Sequence, residues 1–234
     1  MRLVNGTPVR ETLDELLEPS VTALLLVDVQ NDFCHPAGHF ARHRRDISHI
    51  EATLPAIRRL VTGAQALGIP TVFIRQCTLP DGASDSPAWL RFKTRDGKSP
   101  EYTLRGSWGW ELVDGLRPGP GDTELEKFRP DAFVRTDLER RLRAMGVESV
   151  VVAGTTTEGC VESTVRGASY HDFYVVVAED AVCSTNPTLH AGSMRLFEAR
   201  YPLARVDDIL ERWRRAPRRS PPQGAAEAGR AAAE

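Results

Sequence analysis

The sequence has few cysteines and no paired cysteine motif. Its four cysteines, Cys34, Cys77, Cys160 and Cys183, are widely spaced and form no C-x-x-C pair. Paired cysteines are typical of zinc sites held by thiolates, and small disulfide-stapled domains carry cysteines at higher density. We therefore expect four reduced thiols and neither of these frameworks.

Long apolar runs and an excess of positive charge are also absent. No run approaches the length of a membrane span, and residues 1–6 lack the apolar core of a secretion signal. The formal net charge is −2, whereas surfaces that bind nucleic acid are basic. We expect a cytoplasmic protein with neither a membrane nor a nucleic acid among its partners.

Lysine is scarce as well. Only Lys93, Lys98 and Lys127 occur, among 30 lysines and arginines in total. Arginine therefore supplies nearly all of the cationic side chains, and each lysine becomes a candidate for a particular role.

The length of 234 residues suits one α/β domain with a substantial core. Residues 1–20 are polar apart from a short amphipathic piece at 11–17, and we expect them to form an arm laid on the domain. Residues 21–213 form the predicted domain. Residues 214–234 consist mainly of Arg, Pro, Ala, Glu and Gly, a composition that predicts a disordered tail.

Apolar strand-like runs alternate with segments of helical periodicity along the domain. The predicted strands are 21–27, 71–75, 122–127, 148–153, 173–177 and 204–206, and the predicted helices are 47–67, 136–145, a segment after Cys160, and 187–200. Such alternation is typical of a parallel sheet covered by helices on both faces.

A long segment, residues 76–121, separates the second and third predicted strands. Loops of this length in a compact domain usually carry function or contact a partner. Its tryptophans Trp89, Trp108 and Trp110 either line a pocket or cover apolar surface, and plain packing is the favoured interpretation.

Cys160 follows a buried strand and precedes a helix. Gly154 breaks the strand, and Val161, Val165 and Ala168 recur at helical spacing after the cysteine. Cys160 is therefore expected in the first helical turn, where unpaired N–H groups and the helix dipole favour a thiolate. A small buried cysteine in a loop is the alternative.

Asp28 and Lys127 end two other predicted strands. In an open α/β sheet, ligands bind outside the carboxyl ends of the strands, so Asp28, Lys127 and Cys160 are expected at one rim. Lys127 could stabilise a thiolate and Asp28 could move protons. Taken singly, a capping role for Asp28 and a solvated side chain for Lys127 remain open.

Three sequence blocks carry a resemblance to a known family. They are residues 24–33 (LLLVDVQNDF), 126–133 (EKFRPDAF) and 154–161 (GTTTEGCV). Together, and in this order, they resemble the cysteine-hydrolase branch of the isochorismatase-like superfamily over residues 24 to about 206.

The resemblance implies a three-layer α/β/α sandwich with a six-stranded parallel sheet and a catalytic triad of Asp28, Lys127 and Cys160. It further implies that Cys160 attacks an amide or ureido carbonyl, that Asp28 shuttles protons, and that a thioester is hydrolysed. A non-proline cis peptide is implied at Thr155–Thr156, as is an oxyanion hole made of the backbone N–H groups of Thr156 and Cys160.

Two departures narrow the implied reaction. Isochorismatases proper lack the cysteine, and the metal-binding histidines of nicotinamidases have no counterpart at residues 75–81. We therefore predict no catalytic metal and no cofactor. His35, His39 and His43 recur four apart, but Pro36 and Gly38 favour a loop over a metal-binding helix.

The remaining resemblance is to amidases of ureido and carbamoyl compounds: ureidoacrylate amidohydrolase, biuret hydrolase and N-carbamoylsarcosine amidase. The run at 160–166 (CVESTVR) is most similar to the first two. Loop position suggests Asn31, Gln76 and Arg105 as substrate-binding residues, with Arg105 suited to a carboxylate. The family resemblance also implies a homodimer or homotetramer.

Other functions remain open at this point. A nicotinamidase-type or isochorismatase-type hydrolase is one alternative within the same fold. A non-catalytic binding protein is another. A thiol redox sensor that pairs Cys160 with Cys34 or Cys183 is a third.

Overall fold

The strands of the computed structural model, which describes residues 1–95 and 100–216, form one six-stranded sheet and one hairpin. The eight strands are β1 (Arg2–Val4), β2 (Thr7–Val9), β3 (Thr22–Val27), β4 (Thr71–Gln76), β5 (Thr123–Lys127), β6 (Ser149–Thr155), β7 (Tyr174–Cys183) and β8 (Leu203–Ala204). Strands β1 and β2 form the antiparallel hairpin. The large sheet has the order β5-β4-β3-β6-β7-β8, and all of its pairs are parallel.

Helices connect the strands across both faces of the sheet. They are α1 (Leu13–Leu16), α2 (Asn31–Cys34), α3 (His39–Arg42), α4 (Ser48–Leu67), α5 (Pro87–Lys93), α6 (Leu138–Ala144), α7 (Glu162–Tyr170), α8 (Pro187–Arg200) and α9 (Val206–Arg215). Two apolar cores result, one under α1, α4 and α9 and the other under α6, α7 and α8. The predicted three-layer α/β/α sandwich is confirmed.

The central strands divide their side chains between these two cores. All six residues of β3 are buried; Leu24 and Leu26 face one core, whereas Ala23, Leu25 and Val27 face the other. A strand buried on both faces must be apolar at every position, which explains its unbroken hydrophobic run.

Helix α4 begins at Ser48 and ends at Leu67; the next residue, Gly68, caps it with a φ of 72°, which glycine readily adopts. Pro55 therefore lies inside the helix and does not mark its start. Isoleucines and leucines three and four residues apart, including Ile50, Leu54 and Ile57, are buried against the sheet.

The structure differs from the sequence prediction at both ends of the domain. The last strand stops at Ala204, and the unpredicted helix α9 follows, burying Val206, Ile209, Leu210 and Trp213. Arginine and aspartate residues are interspersed among these apolar residues of α9, so the sequence shows no clear apolar stripe. The helix also runs past the predicted start of the tail at 214; residues 217–234 lie outside the described residues.

The predicted N-terminal arm contains more structure than expected. It comprises the hairpin and α1, and a capping box joins Thr12 and Glu15 at the start of that helix. Leu16 and Leu17 are buried in the core under α4, so the arm contributes to the domain interior.

Within residues 1–95 and 100–216, no helix combines the length and the apolar character that a membrane crossing requires.

Candidate active site

The carboxyl ends of β3, β5 and β6 bring the three predicted catalytic residues together. Asp28 follows β3, Lys127 is the last residue of β5, and Cys160 lies in a wide helical turn, Thr157–Val161, between β6 and α7. Strand β4 lies between β3 and β5. Lys127 therefore reaches Asp28 across Gln76, its register partner at the end of β4.

Asp28 and Lys127 form a buried ion pair. The Lys127 Nζ donates to Asp28 Oδ2 at 2.8 Å and to Gln76 Oε1 at 3.0 Å, and both charged residues are fully buried. Asp28 Oδ1 is also buried and has no hydrogen-bond partner among the described residues. Leaving a buried acceptor without a donor costs free energy. Binding a proton would relieve this cost, so this oxygen is suited to accept one.

A second glutamine, Gln30, holds Gln76 in place. The Gln30 side chain accepts from the Gln76 backbone N–H at 2.9 Å and donates to the carbonyl oxygens of Gln76 and Trp110 at 3.0 and 2.8 Å. Sequence reasoning did not single out Gln30, although it lies in the block that contains Asp28. A glutamine two residues after the aspartate that ends a predicted strand was the available signal.

Cys160 differs from the sequence expectation in its ionisation. Burial raises the pKa of the Cys160 thiol to about 12, and the Asp28 carboxylate adds to this effect more strongly than the Lys127 ammonium opposes it. The expected resting thiolate is therefore wrong: desolvation and a neighbouring anion outweigh the cation and the helical turn. Burial and the neighbouring Asp28 charge therefore favour the neutral thiol of Cys160 over its thiolate.

Lys127 keeps its charge in this environment. Burial acts to lower the pKa of Lys127, but the neighbouring Asp28 carboxylate acts to raise it, and the net shift is upward. The lysine thus remains an ammonium group next to both of its partners.

The backbone around the site has two unusual conformations. Gly154 has a φ of 125°, and a Cβ at this position would lie 2.0 Å from the carbonyl oxygen of Val27. Only glycine allows β3 and β6 to approach so closely at the rim. The peptide bond between Thr155 and Thr156 is cis.

A cavity of about 700 Å³ opens above these residues. Asp28, Gln76, Thr155, Thr156 and Cys160 are part of its lining. Its wall contains the aromatic residues Phe33, Phe40, Trp89, Phe92 and Tyr102 and the charged residues Arg44, Arg45, Asp46, Lys93, Arg95 and Glu158. The volume is in the range of small-molecule sites.

Trp89 therefore lines a pocket, contrary to the favoured interpretation of plain packing. Its ring stacks on Phe92 with centroids 4.9 Å apart. Trp110 instead packs under the guanidinium of Arg75, 4.0 Å from the ring centroid.

Of the three residues suggested for substrate binding, the structure places only Gln76 at the cavity. The Asn31 side chain donates to the carbonyl of Trp108 at 2.9 Å and lies outside the lining. Arg105 is also outside the lining, and its guanidinium pairs with Glu126. The sequence could not show that both polar groups are already satisfied by other parts of the chain.

The three spaced histidines do not form a ligand set. His39 lies on α3 and its ring stacks on His43 with centroids 4.0 Å apart, while burial and His43 lower the pKa of His39 to about 4. His35 accepts from the backbone of Ala37 and contacts Trp108 edge-on. In the part of the chain that the structure describes, no group of three or more His, Cys, Asp or Glu residues could hold a metal ion.

The two cysteines considered as redox partners belong to a different apolar core from the one that Cys160 contacts. Cys34 and Cys183 are buried in the core under α4, whereas Cys160 packs against the core under α7. The four cysteines are all unpaired.

Comparison with known proteins identifies the family to which this chain belongs. Residues 22–206 match the isochorismatase domain model. The chain belongs to the isochorismatase family. It is also 35% identical over 193 residues to the ureidoacrylate amidohydrolase RutB of Methylobacterium radiotolerans, an alignment that covers 78% of this chain and 75% of that protein.

Solved structures of other hydrolases share the fold. A cysteine hydrolase from Pseudomonas syringae superposes with a TM-score of 0.73 at 22% identity, covering 89% of this chain and 98% of that one. N-carbamoylsarcosine amidase from Thermoplasma acidophilum superposes with a TM-score of 0.63 at 27% identity, covering 80% and 97%.

These relatives confirm the resemblance read from the three sequence blocks. The protein is a hydrolase of the isochorismatase family, and it groups with the members that act on carbon–nitrogen bonds of linear amides.

Proposed function

We propose that this isochorismatase-family amidohydrolase cleaves a small ureido or carbamoyl amide, similar to biuret or ureidoacrylate, by a cysteine mechanism with release of ammonia. The observation that carries the proposal is the juxtaposition of the buried Asp28–Lys127 pair with the thiol of Cys160 at the base of the cavity. Its relatives include ureidoacrylate amidohydrolases, and an N-carbamoylsarcosine amidase shares its fold.

In the first step, the Cys160 thiol proton moves to Asp28 Oδ1 as Sγ attacks the substrate carbonyl carbon. Asp28 suits this role because Oδ1 is buried without a hydrogen-bond partner in residues 1–95 and 100–216. Lys127 holds the other carboxylate oxygen at 2.8 Å and stabilises the sulfur as its negative charge develops. The high resting pKa of Cys160 means that proton transfer accompanies attack.

The substrate oxygen becomes negative when the C–S bond forms. The backbone N–H groups of Thr156 and Cys160 are proposed as the oxyanion hole, because both residues line the cavity beside the sulfur. Donors fixed in advance stabilise such charge without reorganising.

The tetrahedral adduct collapses when Asp28 returns its proton to the leaving nitrogen, so that the C–N bond breaks and ammonia departs. Water then attacks the thioester carbon while Asp28 accepts one of its protons. The C–S bond breaks, and this proton returns to the Cys160 sulfur. The net change is hydrolysis, and it requires no cofactor.

Ammonia release tests this proposal directly. Purified protein would be assayed with biuret, ureidoacrylate, carbamoyl amino acids and nicotinamide, and isochorismate would be followed by product detection. We expect turnover of a ureido or carbamoyl compound and loss of turnover in Cys160→Ala and Asp28→Asn variants. Preferential cleavage of nicotinamide or isochorismate would replace this proposal with one of the other family activities.

The two non-hydrolytic alternatives have distinct outcomes in the same study. A binding protein would retain ligand affinity but release no product in the unmodified chain. A redox sensor would form a Cys160 disulfide on peroxide treatment, detectable by mass spectrometry. The location of Cys34 and Cys183 in the other core speaks against that pairing.

We also propose that the enzyme works in the cytoplasm as a homodimer or homotetramer. Four unpaired cysteines suit a reducing compartment, and the exposed Phe92 and Leu189 at the cavity mouth are candidates for a subunit contact. Light scattering after size exclusion would measure the assembly, and a monomer would contradict it.

A further inference from the structure

Arg45 has an unusual position for an arginine in this chain. It lies between α3 and α4, half-buried, and is part of the cavity lining. Its backbone N–H donates to the carbonyl of Phe40 at 3.0 Å, and its guanidinium carbon lies 4.4 Å from the centroid of the Phe40 ring. The side chain is thereby held against the cavity wall.

The guanidinium of Arg45 has no carboxylate partner within ion-pair distance among the residues that the structure describes. Burial acts to lower its pKa, yet an arginine stays charged in proteins. A partly desolvated cation without a hydrogen-bonded anion is unfavourable in the empty site and becomes favourable when an anionic ligand binds.

Glu158 is an unmatched group on the same cavity. It lies two residues before Cys160, and its Oε2 is buried without a hydrogen-bond partner in the described ranges. Arg45 and Glu158 influence each other electrostatically but form no ion pair within 4.0 Å. The cavity therefore offers both a strong acceptor for N–H groups and a strong donor for a carboxylate.

The other cations near the site are less suitable. Arg95 also lines the cavity, but it already has an interaction partner, and its guanidinium carbon lies 5.7 Å from the centroid of the Phe92 ring. Lys93 is buried and pairs with Asp85 at 3.0 Å, and Arg105 pairs with Glu126 outside the cavity. Arg44 lines the cavity but is exposed, so water already solvates its charge.

We propose that Arg45 binds the carboxylate of the substrate, so that the natural substrate is a ureido acid rather than the uncharged biuret. This inference rests on the proposed amidohydrolase function. The ureido end would lie at Cys160 with its N–H groups facing Glu158, and the carboxylate end would receive the planar fork of Arg45. Biuret has N–H groups for Glu158 but no anion for Arg45.

Two substrates of similar shape test the proposal: 3-ureidopropionate, which carries a carboxylate, and propylurea, which does not. Ammonia release would give kcat/KM for each compound with the unmodified chain and with Arg45→Gln, Arg45→Lys and Arg105→Gln. Arg140→Gln is the matched surface control, because Arg140 is exposed and pairs with the nearby Asp137.

We expect the unmodified chain to prefer 3-ureidopropionate, and Arg45→Gln to reduce this preference about 10- to 100-fold through KM, as loss of a charged hydrogen bond predicts. Arg45→Lys keeps the charge without the bidentate geometry and should retain part of the preference. Arg105→Gln and Arg140→Gln should keep the full preference.

Equal losses for both compounds in Arg45→Gln would overturn the proposal, since a structural role affects both alike. So would a preference that disappears in Arg105→Gln instead. If the unmodified chain hydrolyses neither compound, calorimetric titration of 3-ureidopropionate into Cys160→Ala, with and without Arg45→Gln, separates the two proposals. Binding that depends on Arg45 would support the carboxylate site even though the proposed hydrolysis has failed. Absence of binding would refute the carboxylate site.

Discussion

Replacing Lys127 with methionine should destabilise the fold as well as abolish catalysis. The substitution removes the 2.8 Å partner of Asp28 and leaves a buried carboxylate whose other oxygen already lacks a hydrogen bond in the described residues. Breaking one side of a buried ion pair costs about 3–5 kcal/mol. For a domain of this size, that corresponds to a decrease in Tm of roughly 6–20 °C.

The double variant Asp28→Asn/Lys127→Met separates the charge effect from the loss of packing. It removes both charges, and neutral replacements of buried pairs are often no less stable than the pair itself. We therefore expect it to recover most of the lost stability while remaining inactive. Circular dichroism during thermal and urea unfolding measures both variants without relying on activity.

Arg140→Met is the control for breaking an exposed ion pair. The Arg140 side chain is 78% exposed where it meets Asp137, and such pairs contribute at most about 1 kcal/mol. A Lys127→Met variant as stable as this control would refute the reasoning, as would a double variant that is less stable than Lys127→Met alone.

Three further outcomes are expected. Because the pKa of Cys160 is raised to about 12, iodoacetamide should alkylate this thiol about a thousandfold more slowly than an ordinary thiol near neutral pH. The alkylation rate, followed by mass spectrometry, should rise steadily with pH. A rate that reaches a plateau near pH 8 would contradict this prediction. Gly154→Ala should lower the free energy of unfolding, measured by urea denaturation, by at least the roughly 1–3 kcal/mol of an unfavourable φ, because its Cβ would meet the Val27 carbonyl at 2.0 Å. An unchanged unfolding free energy would count against the close approach. Asn31→Ala should lower the free energy of unfolding by about 1–3 kcal/mol, because the Trp108 carbonyl loses its hydrogen-bond donor, and it should leave KM unchanged. A raised KM at unchanged stability would indicate that Asn31 binds the substrate.

Sequence reasoning worked best where one local pattern decides the structure. The unbroken apolar run at β3 and the periodic helix α4 were predicted to within one residue at each end. It failed at α9, whose buried stripe is diluted by arginine and aspartate, because burial of four side chains against α4 and the sheet stabilises that helix.

The substrate-binding predictions show a related limit. Gln76 and Arg105 follow comparable loop signals, yet Gln76 bonds to Lys127 and Arg105 pairs with Glu126. The sequence did not single out Arg45, because what distinguishes it is that no carboxylate within the described residues forms an ion pair with its guanidinium. An unpaired group can be recognised only when all of its neighbours are known.

The sequence alone determined the fold class and the placement of Asp28, Lys127 and Cys160 at the carboxyl ends of strands, since hydrophobic periodicity and strand ends are local properties of the chain. The tertiary structure decided the upward shift of the Cys160 pKa, the hydrogen bond between Gln76 and Lys127, and the charges that face the cavity. These depend on desolvation and on distances between segments that are far apart in sequence, and neither quantity is encoded in any single stretch of residues.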